Sequence, residues 1–374
     1  MKKLFFTAFL TAALCVGGAY AQTANPNISV IGNLISAYAN GEHNENANKI
    51  AFGLSELEFS IDANLNPYSK AFVTLGLHGE GAGGHGHEEG HEAHGGGIEI
   101  EEAYVSIYRN LPIDRLTVNL GKYFVNFGRL NKVHAHAYPF INTPRVINEF
   151  IPAEDGNYAD TGAEVSYLFP LLFEGAAVVS GNILTGQPFH EDNDSLTDYA
   201  YSARLNNSFM LSDTMPFEIG FSWLQGKNSV EYGKTKNVAG ADFKIKKTFS
   251  DSFNIVLQGE YFYNTGSYVD IIDDSVEPVI ADIYGDGRYG YYGFFNVVFL
   301  KRWNAGMIYD KYQRQGRNAM TDSSVKAFAG FSVMEETTVL RLSAERYHPH
   351  NERAEDTLMF QIVFAMGPHK THIF

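Results

Sequence analysis

The sequence predicts an all-β chain: a transmembrane antiparallel β-barrel of about 16 strands, with short turns at one end and long loops at the other. Three observations predict it. Strand-like segments recur from end to end, many alternating apolar and polar residues. Short and long connectors alternate along the whole chain, the pattern of barrels with short periplasmic turns and longer extracellular loops. After the first 21 residues no run of 18 apolar residues occurs, so no helix is available to span a bilayer, whereas strands of about ten residues suffice.

Composition narrows the class further. Of 374 residues, 14% are aromatic, with 22 Tyr and 28 Phe against 2 Trp; 36 are Gly and only 19% are charged. Apolar and aromatic residues are too plentiful for a disordered chain. One cysteine cannot build a disulfide framework. A net charge of −15 repels phosphate, so no nucleic-acid partner is expected.

The first element, residues 1–21, reads as a signal peptide. Lys2 and Lys3 form a positive start, Leu4 to Val16 an apolar stretch, and Ala19-Tyr20-Ala21 a small-x-small cleavage site. Cleavage before Gln22 removes both lysines and the only cysteine, Cys15, leaving 353 residues with a formal charge of −17. The expected destination is the outer membrane of a Gram-negative cell.

Residues 22–374 form the barrel. Its strands are expected at 28–38, 52–62, 68–79, 98–108, 115–126, 160–169, 173–183, 198–210, 215–225, 236–247, 252–264, 288–300, 303–313, 323–334, 335–347 and 356–366. Phe253, Ile255, Leu257, Gly259, Tyr261 and Tyr263 share one face of their strand, opposite Asn254, Gln258 and Glu260. Leu340, Leu342 and Ala344 oppose Arg341, Ser343 and Glu345, and Leu358, Phe360, Ile362 and Phe364 form another apolar row. Strand 98–108 needs a phase slip near Glu101-Glu102. The long connectors are 39–51, 80–97, 127–159, 184–197, 226–235, 265–287, 314–322 and 348–355. An even strand number puts both termini on the periplasmic side, and Phe374 gives the aromatic end such barrels often have.

Sixteen strands enclose an aqueous lumen. By opposition to the apolar rows, Glu56, Glu58, Glu102, Asn119, Glu164, Asp242, Lys244, Glu260, Arg341 and Glu345 face inward. Glu56, Glu58, Glu102, Glu260, Arg341 and Glu345 are the pore-lining candidates. Anion pores use rings of Arg and Lys, and this lining has an acidic excess, which favours cations or neutral solutes. Loop 127–159 carries Pro139, Pro144 and Pro152 with Phe140, Ile141, Ile147, Phe150 and Ile151, so it must pack on something: the barrel mouth, as a constriction, or the rim.

Histidine gives the sharpest chemical signal. Under this topology 11 of 13 His fall on the long-loop side. Residues 81–97 are a Gly/His/Glu tract, of a kind that reads as metal binding, within the loop 80–97. His85, His87, His91 and His94 supply imidazoles, Glu88 and Glu92 oxygens, and His78 stands at the tract's edge. Imidazole suits zinc, copper and nickel, and many ligand combinations imply an exchangeable, loosely held ion rather than a tightly bound cofactor. His87-Glu88-Glu89-Gly90-His91 matches the HExxH pattern of zinc proteases, but that chemistry needs a helix, and the flanking glycines do not supply one. No catalytic residues are expected. His134 and His136, an HxH pair on extended backbone, and His348 and His350 could meet near the mouth.

The stretch Gly121-Lys122-Tyr123-Phe124-Val125-Asn126-Phe127-Gly128-Arg129-Leu130-Asn131-Lys132-Val133-His134-Ala135-His136, with Tyr138-Pro139-Phe140, resembles the zinc-regulated outer-membrane receptors of Gram-negative bacteria, neighbours of the phosphate-selective porins. The tail from Met366 to Phe374 is similar to that family's tail. The resemblance implies a porin-like barrel and a link to zinc supply. Two features depart from it. A mature chain of 353 residues has no room for a plug domain inside a 22-stranded barrel, so energised transport is not expected. No ladder of Lys and Arg is found, so phosphate selectivity is not expected.

The expected function is a porin-like channel assisting uptake of Zn2+, Ni2+ or Cu2+ captured by His-rich loops. The alternative is a general or anion-type diffusion porin whose His loop only buffers or senses metal. Expected partners are outer-membrane lipid, small ions or solutes, and further copies of the chain in a homotrimer.

Overall fold

The computed structural model describes residues 25–40, 48–79, 98–152, 157–171, 175–189, 198–229, 234–273, 280–285, 287–315, 320–334 and 337–368. The signal-peptide segment, Phe374 and the tract residues His85, His87, Glu88, His91, Glu92 and His94 lie outside them.

Sixteen antiparallel strands close into one barrel. They are β1 (Asn27–Asn40), β2 (Ile50–Asn66), β3 (Ser69–His78), β4 (Ile98–Ile107), β5 (Leu116–Phe124), β6 (Ala159–Pro170), β7 (Ala176–Leu184) and β8 (Ala200–Ser212). Next come β9 (Met215–Ser229), β10 (Lys234–Ser250) and β11 (Phe253–Asn264). After a separate hairpin of β12 (Ser267–Asp273) and β13 (Ile280–Gly285), the wall resumes with β14 (Arg288–Phe299) and β15 (Trp303–Gln313). It ends with β16 (Thr321–Met334), β17 (Thr338–His348) and β18 (Glu355–Met366). β18 returns to β1 in register from Val30–Met366 to Asn40–Asp356, so no strand edge is left open. The sequence places a plain connector at 265–287; the structure finds the hairpin there.

Side chains alternate as a membrane barrel requires, and the polarity is inverted relative to a water-soluble protein. On β11, Phe253, Leu257, Tyr261 and Tyr263 are exposed while Gln258, Glu260 and Asn264 are buried. On β17, Leu342 and Ala344 point outward, and Arg341, Ser343 and Glu345 inward. Outward aromatics gather near the short turns (Tyr68, Phe169, Phe249, Phe253, Trp303) and near the long loops (Tyr38, Phe52, Tyr199, Tyr201, Tyr263). These two girdles bracket an apolar band, the signature of strands crossing a bilayer.

Among the register shifts of the wall, two fall inside strands on the same side of the barrel. Between β1 and β2 the pairing jumps from Asn33–Glu56 to Leu34–Leu54, leaving Ser55 extra. Between β3 and β4 it jumps from Thr74–Glu102 to Leu75–Ile100, leaving Glu101 extra. This is the phase slip the sequence requires, and it turns two consecutive residues, Glu101 and Glu102, into the interior.

Placing a cation on the lipid face costs about 2–4 kcal/mol near the bilayer midplane. Leu257→Arg, on the outer face of β11, is therefore expected to lower the unfolding free energy by about that amount in urea titrations in lipid vesicles, with Leu257→Phe close to neutral.

Candidate functional site

The interior is not left to water alone. The segment between β5 and β6 enters the barrel and packs against β11, β14 and β16 on its inner face. Its entry and exit are tied together. Val125 N donates to Tyr158 O at 3.0 Å. Asn131 Nδ2 donates to both Val125 O (2.7 Å) and Tyr158 O (3.0 Å), and Asn131 Oδ1 accepts from Tyr158 N at 2.6 Å.

One face of the segment is apolar. Phe127, Leu130, Tyr138, Phe140, Ile147 and Phe150 are essentially fully buried. They pack on inward-facing Phe262, Phe294 and Phe328 of β11, β14 and β16: Phe150 lies 5.9 Å from Phe262, and Phe140 lies 5.5 Å from Phe294 and 5.7 Å from Phe328 between ring centroids. The short helix α1 (Arg145–Phe150) begins just after Pro144 and presents Val146, Ile147 and Phe150 to this wall. Proline suits a helix start, where its missing N–H costs nothing.

Buried charges hold the rest. Gly128 has φ +61°, and a Cβ there would stand 2.2 Å from Glu260 Oε2, so only glycine lets the backbone turn this close. The turn aims Arg129 N at Glu260 Oε2 (3.0 Å) and Leu130 N at Glu260 Oε1 (3.1 Å), while Tyr292 OH donates to the same carboxylate at 2.6 Å. Arg129 Nη1 reaches Glu218 Oε2 at 2.7 Å. Arg145 donates its N–H to Asp310 (3.0 Å) and its Nε to Glu345 (2.8 Å). Lys326 Nζ donates to Ile141 O at 3.1 Å, and Arg341 Nη2 to His136 O at 3.0 Å. Asn304, the second residue of β15, donates to Pro139 O at 3.0 Å, so the segment reaches close to the short-turn end.

Across the lumen, β2 to β4 present acid and imidazole. Glu58 is 2% exposed, Glu101 8% and Glu102 6%. His134 Nδ1 stands 3.1 Å from Glu58 Oε2 and 3.6 Å from Glu101 Oε2, and His134 Nε2 3.5 Å from Glu102 Oε2. His136 Nδ1 lies 3.3 Å from Glu58 Oε2, and its ring stacks on that of His134 at 5.4 Å. His78 Nε2 lies 3.3 Å from Glu101 Oε1. Burial alone would depress the His134 pKa, but the Glu58 charge and the hydrogen-bonding carboxylates of Glu101, Glu102 and Glu58 outweigh it and hold the imidazole well above its ordinary value. Gly76, opposite Glu58, makes the space: a Cβ there would sit 2.1 Å from Glu101 Oε1 and 2.9 Å from His78 Nε2.

All six pore-lining candidates face the interior. They divide by role. Glu56, Glu58 and Glu102 belong to the acid–imidazole wall, whereas Glu260, Arg341 and Glu345 hold the inserted segment. His78, His134 and His136 come to one place, by way of a 3-10 turn at Ala135–Ala137 rather than extended backbone. His348 and His350 are exposed at the end of β17, and among the described residues no cluster joins them to that place. Sequence reasoning missed Glu101, although the Glu101-Glu102 doublet marks the bulge, and it missed the inward aromatics. Phe262 between Glu260 and Asn264, and Phe328 between Lys326 and Gly330, are apolar residues on a polar face, which is the readable sign of something packed inside.

No protein-family model matches the chain. An uncharacterized protein of Aquifex aeolicus is 25% identical over 378 residues, covering 91% of this chain and 74% of that protein. The anion-selective porin from Comamonas acidovorans is similar in structure with TM-score 0.58 at 11% identity, over 92% of this chain and 100% of that one. The outer-membrane channel DcaP of Acinetobacter baumannii gives TM-score 0.56 at 10% identity, over 94% and 100%. The trimer form of OmpT, an outer-membrane protein of Vibrio cholerae, gives 0.53 at 10%, over 91% and 99%. The fold is that of the outer-membrane porins.

Removing the carboxylate that holds Gly128-Arg129-Leu130 leaves two N–H groups and a phenol without their acceptor, at on the order of 1–3 kcal/mol for each buried group. Glu260→Ala is expected to lower stability by at least that much and to expose residues 127–152 to protease in the folded barrel, whereas the parent is cleaved only outside this segment.

Proposed function

We propose that this protein is a porin-like channel of the Gram-negative outer membrane that passes small ions and solutes by diffusion and assists uptake of zinc or a similar divalent metal. The observation that carries the reading is the inserted segment: a 16-stranded barrel encloses a lumen wide enough for water, and residues 127–152 narrow it from within. A barrel serving only as an anchor needs no such partition.

The lining supports a preference for cations. Most interior Arg and Lys are matched to acids: Arg204 binds Asp242 in a two-point contact at 2.6 and 3.0 Å, Arg129 binds Glu218, and Lys326 lies 3.5 Å from Glu345. Glu58, Glu101 and Glu102 form an acidic wall whose ion pairs, among the described residues, are to histidines. Unbalanced negative charge in a narrow, low-dielectric passage raises the local cation concentration. The tract 81–97 is the capture device of this reading, raising zinc near the mouth by reversible imidazole binding. Three copies assembled about an axis are the proposed oligomer, as in the trimer form of the Vibrio cholerae protein.

A general or anion-type porin is the second reading, favoured by the likeness to the Comamonas acidovorans porin. Selectivity separates the two. In planar bilayers under a KCl gradient, the channel is expected to show a reversal potential of cation-selective sign. In proteoliposomes, deleting residues 81–97 is expected to slow zinc entry at micromolar zinc several-fold while sugar permeation is unchanged. Anion-selective reversal with unchanged zinc entry would establish the second reading, and folded protein with no conductance would refute both.

A further inference from the structure

The acid–imidazole wall has a composition that solvation of a lumen does not require. Glu58 and Glu101 are more than nine-tenths buried, and among the described residues their ion pairs are all to histidines. Glu58 Oε1 accepts from Ser60 Oγ at 2.6 Å, while Glu58 Oε2 and both Glu101 oxygens face imidazole nitrogens at 3.1 to 3.6 Å and, among the described residues, no ammonium or guanidinium group. Buried carboxylates are expensive unless paired or bound to a metal, and carboxylates gathered with imidazoles alone are the donor set of a metal ion.

The geometry is that of a ligand set. The donor atoms of Glu58, His134 and His136 all lie within 4.8 Å of one another, and so do those of Glu56, Glu58 and Glu101. Donors bound to a tetrahedral zinc at about 2.0–2.1 Å stand about 3.3 Å apart. Glu58 Oε2 lies 3.1 Å from one imidazole nitrogen and 3.3 Å from the other. Two nitrogens and one oxygen leave a fourth position, and Glu101 Oε2 stands beside it, 3.6 Å from His134 Nδ1.

The fold goes out of its way to build this. The bulges at Ser55 and Glu101 fall where the wall carries these carboxylates, and the Glu101 bulge turns that carboxylate inward beside Glu102. Gly76 clears the space between them. Glu58 and Glu101 come from the wall, and His134 and His136 from the inserted segment.

We propose that Glu58, His134 and His136 bind one divalent transition-metal ion inside the barrel, with Glu101 completing the set, and that the ion clamps the inserted segment to β2. None of its ligands comes from residues 81–97, and it rests on the channel reading only in that the ion must reach the lumen. Because wall and segment each supply ligands, binding energy appears as tighter seating of residues 127–152.

The test uses the chain without residues 81–97, so that the tract contributes nothing, folded in detergent and titrated with zinc. The expected result is one zinc per chain in the micromolar range or tighter, with a rise in the thermal midpoint. His136→Asn and Glu58→Gln are each expected to weaken binding at least tenfold and to abolish that rise, in protein whose electrophoretic mobility still reports a closed barrel. Should both variants fail to fold, cobalt replaces zinc in the parent: visible absorption bands of four-coordinate cobalt with nitrogen donors are expected. No zinc binding by the parent, unchanged affinity in the folded variants, or absence of those bands overturns the proposal. Conductance without zinc binding sinks the site and spares the channel. Zinc binding by a barrel that does not conduct does the reverse.

Discussion

A barrel of sixteen strands closes around more space than its own side chains can fill. That constraint organises the rest of the molecule. The outer surface is fixed by lipid and must be apolar at every second residue. The inner surface is free to be polar, and polar it is, except where something else occupies the lumen. Residues 127–152 are that occupant. Their apolar face and the inward rings of Phe262, Phe294 and Phe328 bury one another, so the aromatic breaks in an otherwise polar lining and the apolar loop explain each other.

The charges follow from the same arrangement. A segment crossing a lumen carries backbone groups away from bulk water, and each needs a partner. Glu260 answers Arg129 N and Leu130 N, Asp310 answers Arg145 N, Lys326 answers Ile141 O, and Arg341 answers His136 O. These residues stand on β11 and on β15 to β17, one continuous arc of the wall, so the segment is pinned along its length rather than hinged at its ends. The acid–imidazole wall is the exception. There, carboxylates exceed the fixed positive charge beside them, and the segment contributes titratable imidazoles instead of guanidinium groups. On the proposed reading such a wall favours cations, and those that imidazole binds in particular.

The barrel was legible because its rule is local. Leu257 beside Gln258, and Leu342 beside Ser343, report inside and outside residue by residue, and the alternation of short and long connectors reports direction. The slip at Glu101-Glu102 was legible for the same reason: two acids in succession cannot share one face of a regular strand. The path of residues 127–152 was not legible, because an apolar loop announces that it packs but not on which surface. The convergence of His78, His134 and His136 on Glu58 and Glu101 depends on that path, on a 3-10 turn at Ala135–Ala137, and on contacts between residues far apart in sequence. No spacing rule encodes it. The hairpin of β12 and β13 was hidden in a connector read as irregular.

The central claim is that this segment lies across the lumen and stays there. Asn142 Nδ2 stands 3.4 Å from Met359 Sδ on β18, far around the barrel from the segment's own strands. Without residues 1–21 the chain has no cysteine, so a paired substitution, Asn142→Cys with Met359→Cys, reports on this contact alone. The measurement is single-channel conductance before and after mild oxidation, with reduction as the control. Disulfide formation in the folded barrel, with conductance unchanged on locking and on release, is the predicted result. Failure to form the bond in folded protein, or a several-fold drop in conductance when it forms, would contradict the account.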